Sequence, residues 1–163
     1  MGVSGSGKSL IGSRFAKALG VEFVEGDELH PGENIERMSS GIPLDDKDRA
    51  GWLTALARRI RVADDTGTGV VISCSALKRA YRDILRGGTR DVQFIFLRGP
   101  QDLIAKLVAN RTGGHFMPLS LLDSQFAILE EPSEDENAWV CDINNSPDKI
   151  VSDLIARASL EVT

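Results

Sequence analysis

Residues 2–9 read GVSGSGKS and fill every position of the pattern G-x-x-x-x-G-K-[S/T]. In this pattern a glycine-rich loop leads from a buried strand into a helix, and its backbone N–H groups converge on phosphate oxygens. The lysine supplies a cation for the outer phosphates, and the final hydroxyl is suited to Mg²⁺. A chance match is the alternative, but an amphipathic helix follows directly. This phosphate loop predicts binding of ATP with Mg²⁺ through Gly2, Ser4, Gly5, Ser6, Gly7, Lys8 and Ser9, with Ser9 as the metal ligand.

The strand that such a loop normally follows is missing, because only Met1 precedes the loop. A central strand of five or six apolar residues contributes on the order of 10 kcal/mol, which is comparable with the stability of a whole domain. We therefore expect a gap in the sheet. Either the chain is a shortened form of a longer protein, or another segment or a partner chain fills the position.

The remaining hydrophobic pattern alternates between short apolar runs and amphipathic stretches of helical period. Such alternation predicts right-handed βαβ units, which form a parallel sheet covered on both faces. The fold class is thus α/β, a three-layer α/β/α arrangement, in a single domain over residues 1–163. Strands are predicted at 21–25, 69–74, 92–97 and 138–143, and helices at 10–19, 34–39, 47–65, 76–86, 101–111, 119–129 and 148–158.

Charge and composition restrict the partners of the chain. The net charge of −5 argues against a nucleic-acid binder, and the longest apolar runs are far shorter than a membrane span. We expect a cytoplasmic protein. Its two cysteines, Cys74 and Cys141, lie in strand-like runs and are predicted to be reduced. The acidic run at 130–136 is predicted to be solvated surface.

Polar residues near the carboxyl ends of the predicted strands are candidates for chemistry. Asp27 directly follows a strand, and a carboxylate there can orient an acceptor hydroxyl; an aspartate of a turn is the alternative. A set of cations can bind phosphate or carboxylate, although each alone could equally be a solvated charge. This set is Arg49, Lys78, Arg79, Arg82 and Arg111.

The glycine-rich segment at 112–118, TGGHFMP, contains His115 and is predicted to be a lid that excludes water from the site. A plain loop between helices is the alternative. His30 and His115 are too distant in sequence, without a third ligand at suitable spacing, to predict a zinc site.

With these features in place, the sequence resembles the gluconate kinases, the small phosphate-loop type. The resemblance covers nearly the whole chain and is carried by EGDELHP (25–31), SGIPLDDKDRAGWL (40–53), CSALKRAYRDILR (74–86), GHFMP (114–118) and LLDSQFAILEEP (121–132). It implies a fold like that of nucleoside monophosphate and shikimate kinases, and transfer of the γ-phosphoryl group of ATP to the 6-hydroxyl of D-gluconate. It also implies that the enzyme can be a homodimer.

The resemblance implies roles for individual residues as well. Lys8, Asp27 and Arg111 are the expected catalytic residues, and Arg111, Asn145 and Pro147 join the phosphate loop in binding ATP. The residues expected on the gluconate side are Asp27, His30, Arg49, Lys78, Arg79, Arg82 and His115.

The chain departs from the family pattern at Leu10, where a threonine is usual, and at Leu107, where an arginine is usual. It also carries an extra glycine before His115. Two alternatives to a gluconate kinase remain: a related kinase acting on shikimate or a similar acid, and a nucleotide-binding member with impaired turnover.

Overall fold

The computed structural model describes residues 1–87, 89, 91–110 and 119–161. Two short 3-10 helices span Gly26–Leu29 and Glu134–Glu136. The strands are β1 (Glu22–Glu25), β2 (Val70–Ser73), β3 (Ile95–Arg98) and β4 (Trp139–Asp142). The helices are α1 (Lys8–Leu19), α2 (Gly32–Ser39), α3 (Asp46–Thr66), α4 (Arg79–Arg86), α5 (Gln101–Ala109), α6 (Leu119–Ile128) and α7 (Pro147–Glu161).

The α/β fold and all four predicted strands are confirmed. The predicted boundaries differ from the observed ones by at most three residues, and one such difference is at α4, which begins at Arg79 rather than at residue 76. Ala76 has a positive φ of 44°, and Lys78 is extended. A side chain with a Cβ rarely adopts such a positive φ, so the helix cannot begin before this turn is complete.

The sheet consists of two separate parallel pairs. Strand β1 pairs with β2, and β3 pairs with β4. Within the described residues, no strand lies between β2 and β3. The backbone of Met1 and Gly2 joins the pairs at one end: Met1 N donates to Ile95 O, Leu97 N donates to Met1 O (3.0 Å), and Gly2 N donates to Ser75 O (3.1 Å).

Helices cover both faces of the sheet and complete the three layers. On one face, Trp52 and Leu56 of α3 pack with Leu85 of α4 in an apolar cluster. On the other face, Phe15 of α1 packs with Leu154 of α7. Both cysteines are free thiols, as predicted. No helix in the described part of the chain combines the length and the apolar character that crossing a membrane requires.

The amino group of Met1 is held in the interior of the protein, where it donates to Ile95 O. Removal from water lowers its pKa from 8.0 to about 5, and the nearby positive charge of Lys8 adds to this effect. Between pH 5 and pH 8 the unfolded chain therefore binds more protons at this amine than the folded chain does. Stability contributed by the neutral amine is therefore present above pH 8 and is lost as the pH falls toward 5.

We predict that the Met1 amine makes the free energy of unfolding of the 163-residue chain rise by roughly 3 kcal/mol between pH 5 and pH 8, because each pKa unit corresponds to about 1.4 kcal/mol and the limits coincide with the two pKa values. Urea unfolding at several pH values measures this dependence. The matched control is the same chain acetylated at Met1, which has no titrating amine and should lose this component of the slope. Equal slopes for the two forms would contradict the prediction.

Candidate active site

The phosphate loop encloses the amino-terminal end of α1. Gly7, with φ of 95°, directly precedes the helix, and a Cβ built on it would meet no atom within 4 Å. Gly5 faces the interior instead, where a Cβ would lie 2.3 Å from Cγ2 of Val108. The loop is thus packed against α5 on one side and open on the side where the helix N–H groups point, which suits an anion.

The polar groups of the loop differ in their hydrogen-bond partners. Lys8 Nζ donates to Val3 O (3.0 Å), and Ser4 N donates to Oε1 of Gln125 in α6 (2.6 Å). The Ser6 hydroxyl is buried without a hydrogen-bond partner among the described residues. Buried polar groups normally have partners, so such an orphan fits a loop whose partner is a ligand.

Ser9 lies exposed in the first turn of α1, next to the loop. In the part of the chain that the structure describes, no group of three or more His, Cys, Asp or Glu residues could hold a metal on its own. A single hydroxyl beside a phosphate loop, as Ser9 supplies, fits Mg²⁺, which binds through few protein ligands together with substrate phosphates and water.

Asp27 lies exposed in the 3-10 helix that follows β1. Its position is fixed through Gly26, whose carbonyl accepts a hydrogen bond from Trp52 Nε1 (2.7 Å). A Cβ on Gly26 would lie 2.1 Å from Ser73 O, so only glycine fits there. The end of β1 is therefore anchored on α3 and β2, and Asp27 projects from a rigid support.

His30 is buried close to Asp27 and stacks on Trp52, with ring centroids 4.2 Å apart and planes 12° from parallel. Its Nδ1 lies 3.4 Å from Asn34 Nδ2. Burial lowers the pKa of His30, against the opposing effect of the Asp27 charge. The imidazole is therefore neutral at pH 7, and its structural role is to hold the segment after β1 against α3.

Arg49 and Lys78 meet at Tyr81. The Arg49 guanidinium lies 5.7 Å from the centre of the Tyr81 ring, and Lys78 Nζ lies 5.5 Å from it. Asp46 accepts hydrogen bonds from Lys78 Nζ (2.7 Å) and from the Tyr81 hydroxyl. These hydrogen bonds, that of Lys78 first, lower the pKa of Asp46. The capping box between Asp45 and Asp48 fixes the start of α3 and so places Arg49.

Arg49 also lines a cavity of about 310 Å³ between the loop before α3 and helix α6. Gln125 lines the same cavity and accepts the hydrogen bond from the phosphate loop. The cavity is thus adjacent to the loop and carries a buried cation, at the lower end of the volume range of small-molecule sites.

Arg82 is not in this cavity. Its side chain is 0% exposed and binds Glu136 through two hydrogen bonds, from Nε (2.5 Å) and from Nη2 (2.7 Å). Its Nη1 also donates to Ala76 O and Glu130 O. These contacts join α4 to the segment after α6, and the bond from Arg82 lowers the pKa of Glu136 to about 2.

The expectation that residues 130–136 are solvated surface is wrong for Glu136, which is buried. The sequence contains a signal for the turn that places Glu136, because Ser133 and Glu136 have the spacing of a capping box. The structure forms this capping box. Arg79 points the same way, toward Asp135, which its Nη1 and Nη2 both contact, but this pair is exposed.

Asn145 and Pro147 lie at the carboxyl end of β4. Asn145 is exposed, with its N–H donating to Asp142 O (3.2 Å), and Pro147 begins α7. They lie at the edge of the sheet where a nucleotide is expected. Arg111, His115 and the predicted lid at 112–118 lie outside the described residues.

Comparison with known proteins identifies the family to which a chain with this fold and this site belongs. The sequence profile described as shikimate kinase matches residues 4–157. The thermosensitive gluconokinase of Escherichia coli (strain K12) is 49% identical over 149 residues, covering 89% of this chain and 78% of that protein. The gluconokinase of Gluconobacter oxydans (strain 621H) is 43% identical over 161 residues, covering 99% of this chain and 90% of that protein.

A solved structure agrees with these relatives. The gluconokinase from Sinorhizobium meliloti 1021 superposes with a TM-score of 0.86 at 46% identity, over 96% of this chain and 87% of that chain. Fold, phosphate loop and profile define an ATP-dependent kinase of the shikimate kinase class. Within that class, the chain belongs to the gluconokinase family.

We predict that Arg82→Met lowers the free energy of unfolding by about 3–5 kcal/mol, because it leaves the buried Glu136 carboxylate without its partner. Urea unfolding at pH 7 measures the loss. Arg79→Met is the matched control, three residues away in the same helix, and should shift the unfolding midpoint little because its pair with Asp135 is exposed. Equal losses for the two variants would show that the Arg82 pair does not hold α4 in place.

Proposed function

We propose that the chain transfers the γ-phosphoryl group of ATP to the 6-hydroxyl of D-gluconate, giving 6-phosphogluconate. The observation that carries this proposal is the cavity next to the phosphate loop, lined by the buried Arg49. A sugar acid needs a cation for its carboxylate and polar groups for its hydroxyls. The identity to gluconokinases over nearly the whole chain supports gluconate as that acid.

On the ATP side, the residues of the phosphate loop bind and orient the phosphates. The open N–H groups at the start of α1 donate hydrogen bonds to phosphate oxygens, and Lys8 moves from Val3 O to the outer phosphates. Asn145 and Pro147 flank the base, and Arg111 approaches the phosphates. Mg²⁺ would be held by the Ser9 hydroxyl, and it neutralises charge on the β- and γ-phosphates when bound.

On the acceptor side, Asp27 accepts a hydrogen bond from the attacking hydroxyl and orients it toward the γ-phosphate. Arg49 and Lys78 provide the positive charge for the gluconate carboxylate, with Tyr81 between them. Arg79, His30 and His115 complete the proposed acceptor side, and Arg82 contributes by holding α4 in place. Phosphoryl transfer depends on such positioning more than on covalent chemistry, and a lid at 112–118 would exclude water.

A shikimate-type kinase is the second candidate, favoured by the profile match alone. The sequence has no glycine triplet, and it lacks the Asp-x-Asp that shikimate kinases usually carry after their second strand, so gluconate is the preferred acceptor. A nucleotide-binding protein with impaired turnover is the third candidate, since the phosphate loop follows a gap in the sheet. We further propose a cytoplasmic location and a homodimer, for which light scattering on the purified chain is the test.

We predict that the chain releases ADP from MgATP in the presence of D-gluconate, and not with shikimate or without an acceptor. Lys8→Ala should lower kcat at least roughly 100-fold, because charge stabilisation of the transferred group is lost. Asp27→Asn should lower kcat by about 10²–10⁴, because the acceptor hydroxyl loses its base. Lys17→Ala, at the exposed far end of α1, is the control and should retain activity.

The same assay separates the alternatives. Release with shikimate alone would contradict the proposed acceptor. No release of ADP with any acceptor, while isothermal titration shows that MgATP binds, would favour a nucleotide-binding protein with impaired turnover.

We predict that Arg49→Gln raises the KM for gluconate at least roughly tenfold, the cost of one charge-assisted hydrogen bond, and leaves the KM for ATP unchanged. Arg58→Gln, on an exposed position of the same helix, is the matched control. Because Arg49 also donates to Leu44 O (2.5 Å), thermal unfolding of both variants should accompany the kinetics. A lower kcat with an unchanged KM for gluconate would contradict the role given to Arg49.

A further inference from the structure

His30 and Asn34 form a buried polar contact between the end of the 3-10 helix that follows β1 and the first half of α2. Asn34 Nδ2 lies 3.4 Å from His30 Nδ1. In a neutral imidazole, one ring nitrogen carries the hydrogen and the other accepts a hydrogen bond. The contact with Asn34 therefore decides which ring nitrogen of His30 is the donor.

A third group fixes the orientation of the Asn34 amide. Asn34 Nδ2 lies 2.7 Å from the backbone carbonyl oxygen of Asp48, in the first turn of α3. A carbonyl oxygen only accepts hydrogen bonds, so the amide atom that faces it is the nitrogen and not the oxygen. The second hydrogen of the same NH₂ group is available for His30 Nδ1. Nδ1 is therefore the acceptor, and the ring hydrogen of neutral His30 is on Nε2.

The neighbouring residues hold this arrangement in place. Asp48 belongs to the capping box of α3, and its carboxylate accepts a hydrogen bond from Arg37 Nη1 (2.7 Å). The His30 ring stacks on Trp52, which fixes the plane of the imidazole. A half-turn of the ring would keep the stacking but would place a carbon atom opposite the Asn34 amide. The hydrogen bond from Asn34 thus selects one of the two stacked orientations.

The other ring nitrogen, Nε2, has no hydrogen-bond partner among the residues that the structure describes. Within the same residues, the Ser6 hydroxyl is the single fully buried side-chain polar atom without a partner, so Nε2 is accessible. The backbone N–H of His30 donates to Asp27 O (3.3 Å). An accessible N–H donor therefore lies in the same short segment as the carboxylate that is expected to orient the acceptor hydroxyl.

The groups around the ring keep it neutral. Burial lowers the pKa of His30, Asp27 of the 3-10 helix opposes this effect, and Arg49 of α3 adds to it. The charges of Arg37 and Asp48 are paired with each other. A protonated His30 would attract the Asp27 carboxylate and compete with a hydroxyl group for it. A neutral His30 leaves Asp27 free to accept a hydrogen bond, while Nε2–H can donate one. Such a pair suits a polyhydroxy chain, because each hydroxyl both donates and accepts.

We propose that Asn34 is a positioning residue that holds His30 in the neutral tautomer with hydrogen on Nε2, and that this N–H donates to a hydroxyl group of the sugar-acid acceptor. The hydroxyl partner rests on the proposed function. The tautomer rests only on the contacts of Asn34 with His30 and Asp48.

Nuclear magnetic resonance of the protein without substrates tests the tautomer directly. The chain contains two histidines, and the signals that disappear in His30→Gln are those of His30. Long-range ¹H–¹⁵N correlation spectra at pH 7.5 should show a hydrogen on Nε2 and none on Nδ1. A hydrogen on Nδ1, or on both ring nitrogens, would overturn the proposal whether or not gluconate is a substrate.

Asn34→Asp tests the role of the amide. A carboxylate only accepts, so it should draw a hydrogen to Nδ1 and raise the pKa of His30 by about one unit or more. At pH 9, where the ring is neutral again, Nε2 should lack its hydrogen, and the KM for gluconate should rise roughly tenfold with the KM for ATP unchanged. Asn137→Asp, which adds the same charge at an exposed position before β4, is the matched control. An unchanged pKa of His30 in Asn34→Asp would overturn the proposal.

Two substitutions of His30 test the donor without relying on the fold of the Asn34 variant. The amide of glutamine can present an N–H near the position of Nε2, whereas methionine has no donor. The KM for gluconate should be at least about fivefold higher in His30→Met than in His30→Gln. Equal KM values would overturn the donor role of His30. If the chain phosphorylates no acceptor, the proposed function fails, and the spectra still decide the role of Asn34.

Discussion

Three backbone hydrogen bonds of Met1 and Gly2 hold together what would otherwise be two separate half-sheets. They tie the chain to Ile95 and Leu97 on one side and to Ser75 on the other. The phosphate loop begins at the same residues, so the position of Lys8 depends on how firmly these bonds hold. Where a full strand precedes such a loop, hydrogen bonds along the whole strand hold the loop in place. Here the backbone of Met1 and Gly2 anchors the loop, beside an apolar cavity of about 540 Å³.

The basic residues of α4 and its N-cap form two groups that differ in their partners, although all of them are lysine or arginine. Lys78 contacts Tyr81 and Asp46 near the acceptor cavity, whereas Arg79 and Arg82 bind the acidic turn at 133–136. The two members of the second group differ in exposure, because the Arg82 side chain is buried and the Arg79 side chain is exposed. Arg82 thus affects the site through the position of α4, whereas Lys78 and Arg49 are the cations that lie together at Tyr81, next to the cavity.

The parts of this fold that could be predicted from the sequence are those encoded locally. The spacing of the phosphate loop fixes its chemistry, and nearly uniform apolar runs such as that at 69–74 identify buried strands. The pairing of Arg82 with Glu136 could not be predicted, since 54 positions separate the partners and each residue alone resembles surface. The stacking of His30 on Trp52 could not be predicted either, because the two residues are distant in the sequence. The gap in the sheet could be expected, but not that Met1 would keep one step of the ladder.

The hydrogen bond between Ser4 N and Gln125 has a consequence for how the two substrates affect each other. Gln125 also lines the cavity beside Arg49, and the backbone just beyond α6 is fixed to the segment before α4, where Glu130 N donates to Leu77 O (2.8 Å). A phosphate oxygen that takes the Ser4 N–H displaces Gln125 and thereby changes the wall of the cavity. Thermodynamic linkage then requires reciprocity: if ATP changes the affinity for the acceptor, the acceptor changes the affinity for ATP by the same factor. Gln125 is the residue through which such coupling would pass, because it contacts both the phosphate loop and the cavity.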